Sequence, residues 1–208
     1  MLLFAVILTV LVSLWLLSLC WDRAHPYYIS LYTSIFWNMP LTFGLEGYIE
    51  FAVASFINLH LFHWITISDI FNSVACIAGL TLTVFLPPFV LWFLVKNKGK
   101  LNQPENKQKF SSLYEGLEKQ NVWGLYFTFL FLFKRLIIAV VVVFLQGMPW
   151  LQIQIVVFML SLDIIYTGYL QPFNKKFSNR MEIINNVFIM LCSYYLFLFT
   201  AFVPSPVT

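Results

Sequence analysis

The chain has 208 residues, of which 61% are hydrophobic and only 10% charged, with a mean hydropathy of +0.83 and a formal net charge of +3. So much apolar sequence excludes a soluble globular domain as the main fold and leaves no room for a second, polar one. The composition predicts a single all-α domain over residues 1–208, a polytopic bundle of six transmembrane helices, with the lipid bilayer as its first partner and no nucleic acid.

Residues 2–21 form the first apolar run. It has neither the basic flank nor the small-residue cleavage site of a signal peptide, so it reads as a true span. Residues 22–44 mingle aromatic and hydroxyl side chains with two prolines, which suits a partly helical segment lying along the headgroups. The second span, 45–64, is entered through Glu46 and Glu50, one helical turn apart and therefore on one face. The third, 70–95, is longer than the ~20 residues a bilayer requires. Pro87 and Pro88 inside it predict a kink or an early stop. Residues 96–120 are the one plainly polar stretch, carrying six Lys and three Glu, and read as a solvated loop with a short helix near its end.

The stretch from Phe131 to Tyr169 reads as a membrane hairpin, with spans at 134–147 and 150–170 and a tight turn over Gln146, Gly147, Met148 and Pro149. The apolar run 121–133 before it leaves two readings. Either it lies on the interface and the span begins near Lys134, or one long tilted helix carries Lys134 and Arg135 inside. Residues 171–181 form a polar link, and the last span covers 182–203, ended by Pro204 and Pro206.

Sidedness follows from the basic residues. If six spans alternate, the links 22–44, 96–120 and 171–181 share one face and hold ten of the twelve Lys and Arg residues. The other two, Lys134 and Arg135, sit toward the same face. By the positive-inside rule both termini then lie on the non-cytoplasmic side. An N-terminus outside with no leader predicts a piece, or a short relative, of a longer protein with an N-terminal ectodomain. The plasma membrane is the expected location, with an organelle membrane as the alternative.

Charges inside membrane segments are expensive and mark functional candidates. Counted from the turn at Met148, Lys134 lies 14 residues back and Asp163 15 residues forward, each roughly 21–23 Å below the turn at ~1.5 Å per residue. Antiparallel arms bring these opposite charges to one depth, so Asp163 pairs with Lys134 or Arg135. The pair reads as a gate or as a static interhelical lock with the basic chains snorkelling outward, and the shallow depth favours the lock. Glu46 and Glu50 could concentrate cations at an entrance, although carboxylates there also serve to cap a helix N-terminus. Asn185 and Asn186 are placed to join helices by hydrogen bonds. His60 and His63, one turn apart near Asp69, form an interfacial pair rather than a metal site, since no further ligand stands at matching spacing. No metal and no cofactor is expected.

Cys20, Cys76 and Cys192 sit in apolar helices and suggest no disulfide framework. No phosphate-binding loop, zinc-protease motif or nucleophile elbow is present, so nothing points to an enzyme. The links are too short for a re-entrant filter loop, and no arginine ladder marks a voltage sensor.

Three segments carry a family pattern: KFSSLYEGLEKQ at Lys109 to Gln120, FLFKRLIIAVVVVFLQ at Phe131 to Gln146, and YLQPFNKKFSNRMEIINNVFIMLCSYYLFLFT at Tyr169 to Thr200. Together, over about half the chain, they resemble the C-terminal membrane module of large ciliate cell-surface proteins. That module is more distantly similar to the TRP-like membrane domain of fungi. The resemblance implies a polytopic membrane domain beneath an ectodomain, with a channel or calcium-linked role, and brings no catalytic or filter residue to carry over. The expected function is a TRP-like membrane protein acting as a channel or transporter subunit, alone or with further copies or other subunits. The alternative is a non-conducting anchor, receptor membrane domain or structural subunit.

Overall fold

The computed structural model describes residues 25–59, 66–101, 103–118 and 122–199. The expected span at 2–21, Cys20, His60 and His63 lie outside the described residues. What is described is helical: α1 (His25–Thr33), α2 (Met39–Glu46), α3 (Tyr48–Asn58), α4 (Ile67–Asn97), α5 (Pro104–Phe110), α6 (Val122–Phe144), α7 (Pro149–Leu170) and α8 (Lys176–Leu196). Four stretches are long and apolar enough to cross a membrane: Ile67–Lys100, Trp123–Phe144, Pro149–Leu170 and Lys176–Phe199. They leave Phe71, Phe85, Phe158, Ile165 and Phe188 exposed, a display of large apolar side chains suited to lipid and not to water.

The chain divides into two compact units, Met1–Leu45 with Gly99–Glu115, and Glu46–Lys98 with Gly116–Thr208. In the first, α1 runs through a π-helical turn, Ser34–Asn38, into α2. Asn38 Oδ1 accepts from the Ser112 N–H at 3.1 Å and the Ser111 hydroxyl at 3.3 Å. Trp37 meets the Phe110 ring edge-on and lies under Lys109 Nζ. The polar loop is therefore tied to this helix by its own short helix, α5. Tyr114 donates to the Leu101 carbonyl at 3.0 Å, and burial pushes its phenol pKa up.

In the second unit Ala52 and Phe56 of α3 pack against Ala139 and Val143 of α6, joined by Leu80 of α4. Small residues let α3 and α4 approach: a Cβ on Gly79 would lie 2.2 Å from Ser55 Oγ, and Cys76 Sγ donates to the Ser55 carbonyl at 3.2 Å. Close backbone contact of this kind replaces the hydrophobic drive that lipid removes.

The prolines of α4 neither stop the helix nor leave a buried group stranded. Pro87 has no N–H, so the Thr83 carbonyl one turn earlier loses its helical donor. Tyr48 of α3 supplies one instead, its hydroxyl donating to that carbonyl at 2.7 Å. Tyr48 and Thr83 are both fully buried. Tyr48→Phe should then lower stability by about 1–3 kcal/mol, the cost of a buried carbonyl left without a donor. Thermal unfolding in detergent checks this, and an unchanged midpoint would mean that Thr83 is satisfied otherwise.

Several expected boundaries move. Of the expected second span, 45–64, the described residues include α3, 11 residues covering ~16 Å, and residues 60–64 lie outside the described residues. Of the two readings before Lys134, the long helix holds: α6 begins at Val122, not near Lys134, and its first half is the Phe- and Leu-rich run 123–133, which no Pro interrupts. The link 171–181 contracts to five residues, since α8 starts at Lys176 and takes Lys176 and Arg180 into its first turns.

Candidate functional site

Lys134 falls near the middle of the 23-residue α6, and α7 presents Asp163 to it two turns before its own end. Lys134 Nζ is hydrogen-bonded and ion-paired to Asp163 Oδ2, with the two side chains only 15% and 13% exposed. The same oxygen accepts from Asn186 Nδ2 of α8 at 3.1 Å. Asn186 is 1% exposed and lies 3.5 Å from Glu182 Oε1, one turn earlier on α8. One carboxylate thus stitches three membrane-length helices. Both Lys134 and Arg135 interact electrostatically with Glu182, so two acids and two bases share this region and their formal charges cancel.

Lys134 and Arg135 part company because adjacent residues on a helix point ~100° apart. Arg135 Nη1 donates to the Glu46 carbonyl at 3.1 Å, and the guanidinium lies 4.0 Å from the Phe131 ring centre. Lys134 and Asp163 also line a cleft of about 350 Å³ between α6 and α7, walled otherwise by Leu130, Phe133, Met159, Leu162 and Tyr166.

The remaining expected residues fall elsewhere. Glu46 and Glu50 are both exposed, and the helix breaks at Gly47 between them, so they do not sit on one continuous helical face. Of the two asparagines Asn186 enters the cluster, whereas Asn185 is exposed and makes no side-chain hydrogen bond among the described residues. Glu182 was not singled out from sequence. Its signal was there, since 182 and 186 are four apart and share a helix face.

Below the cluster the chain is clipped shut. Gln171 ends α7 with φ +45°, in the left-handed region, and Pro172 after it cannot continue a helix. Residues Gly116 to Glu118 and Pro172 to Asn174 then pair. Glu118 N–H donates to the Pro172 carbonyl at 2.8 Å, and Asn174 N–H to the Gly116 carbonyl at 2.9 Å. Leu117 bridges Phe173, and Asn174 Nδ2 donates to the Leu117 carbonyl at 2.9 Å. Asn179 bonds the Phe173 backbone in both directions, at 3.1 and 2.9 Å. Gly116 and the segment Pro172 to Asn174 are thus direct partners in the clip.

Helices of membrane length joined by an intramembrane carboxylate define an integral membrane protein of the helical class. No family model, curated protein or solved structure matches the chain.

Proposed function

We propose that this chain is the membrane domain of a channel or transporter subunit, with the Lys134–Asp163 pair as its gate and no enzymatic activity. The observation that carries this reading is the cleft between α6 and α7, in whose wall Lys134 and Asp163 are the only charged residues among those described. A charge pair at membrane depth that borders open space can be broken by protonation, voltage or a passing ion, and breaking it changes the cleft. The proposed topology has six spans with both termini on the non-cytoplasmic side, in the plasma membrane. The proposed relatives are the ciliate surface-protein modules and, more distantly, the fungal TRP-like domains.

A second reading, a non-conducting anchor or receptor membrane domain, draws on Asn186. Its amide holds Asp163 from a third helix and is almost wholly buried, which suits a static lock. Ion flux in liposomes separates the two. Native protein should conduct, and both Asp163→Asn and the double variant Lys134→Gln/Arg135→Gln should change the flux. Folded native protein that passes no ions would overturn the gate and leave the lock.

A further inference from the structure

A separate cavity of about 250 Å³ lies where the last turn of α7 faces the first turns of α8, lined by Thr167, Gly168, Gln171, Lys176, Asn179, Arg180 and Ile183. Unlike the apolar grooves around the helices, its wall is built from hydrogen-bonding groups. Lys176 and Arg180 stand one turn apart on the same face of α8. Among the described residues neither side chain makes an ion pair or a hydrogen bond. The first turn of α8 holds no acidic residue and its N-cap supplies no side-chain cap, so the positive end of the helix adds to the two cations. Independently of the charges, the Thr167 hydroxyl is fully buried and has no hydrogen-bond partner among the described residues. A buried hydroxyl left so costs free energy unless something occupies the space beside it.

We propose that this cavity is a binding site for the phosphate of an anionic phospholipid headgroup. The depth fits, because the cavity sits at the ends of two membrane-length helices, where headgroups lie. The chemistry fits as well. A phosphate monoester takes charge-assisted hydrogen bonds from Arg180 and Lys176, and an oxygen of it accepts from the Thr167 hydroxyl. The Gln171 amide completes the donor set. Gly168 leaves the wall open: a Cβ there would meet nothing nearer than Ile183 Cδ1 at 4.0 Å. Basic recesses between membrane helices recognise lipid phosphates in this manner.

The test uses the full chain in nanodiscs of phosphatidylcholine with and without phosphatidic acid, read by unfolding midpoint and by lipid retained in native mass spectrometry. Phosphatidic acid should raise the midpoint and be retained. Lys176→Gln/Arg180→Gln should weaken retention about tenfold or more, as the loss of charge-assisted bonds requires. Thr167→Val should also weaken retention while leaving the lipid-free midpoint unchanged or higher, since it removes an unsatisfied hydroxyl. A lower lipid-free midpoint for Thr167→Val would make the hydroxyl structural and overturn its assigned role. Retention equal to native in both variants would overturn the site. Equal protection by inorganic phosphate in neutral micelles would overturn the lipid as its ligand.

Discussion

Lys134→Met is expected to destabilise the folded protein by about 3 kcal/mol, and adding Asp163→Asn should return most of that loss. The single change strands a carboxylate that is 13% exposed and held from its other side by Asn186. Removing one partner of a desolvated pair exposes the full cost of the remaining charge, whereas removing both leaves two neutral groups that lipid and protein tolerate. In the double variant the amide introduced at position 163 can still meet Asn186. Unfolding midpoints in detergent for the two singles and the double give the coupling directly. A coupling near zero would show that the pair behaves like an exposed one, worth little. Arg135→Met is the natural control, because its hydrogen bond runs to a backbone carbonyl and its loss leaves the Lys134–Asp163 pair intact.

The second large effect is expected at Gly124, in the first turns of α6. A Cβ there would lie 2.8 Å from the Glu118 carbonyl oxygen and 3.3 Å from that of Pro172. Both obstacles are backbone, and both belong to the clip that closes the lower end of the second unit. A rotamer change therefore cannot relieve the clash, and either α6 or the paired segment must shift. Gly124→Ala should cost about 1–3 kcal/mol, in the range of an overpacked interior, and Gly124→Val more. Gly147→Ala, where a Cβ meets nothing within 4 Å, should be silent by comparison. Hydrogen exchange at the amides of Glu118 and Asn174 should rise in Gly124→Ala if the clip opens. Unchanged protection there, with an unchanged midpoint, would show that the turn yields without cost.

The stability and flux experiments bear on one another. If the double variant Lys134→Met/Asp163→Asn folds as well as native protein, a change in its flux reports on the conduction route and not on unfolding. The gate and the lock then make opposite forecasts for the same folded protein.

Composition and hydropathy were enough to determine that the chain is helical and lives in a membrane, because ~20 apolar residues in a row have few other fates. The opposition of Lys134 and Asp163 was also legible, since a tight turn at Gln146 to Pro149 sets both arms to one depth by counting alone. Three things were decided only in three dimensions. Which of Lys134 and Arg135 takes the acid depends on the rotation of α6 about its axis. That rotation comes from the packing of Ala139 and Val143 on α3, which no count along the chain contains. The passage of α4 through Pro87 and Pro88 depends on a hydroxyl from another helix, at Tyr48, to satisfy what local rules leave open. The break at Gly47 likewise goes with a distant partner, the Glu46 carbonyl being bonded by Arg135. Local sequence carries hydrophobicity and spacing, but the partner of a polar group in a membrane is chosen by whichever helix face arrives beside it.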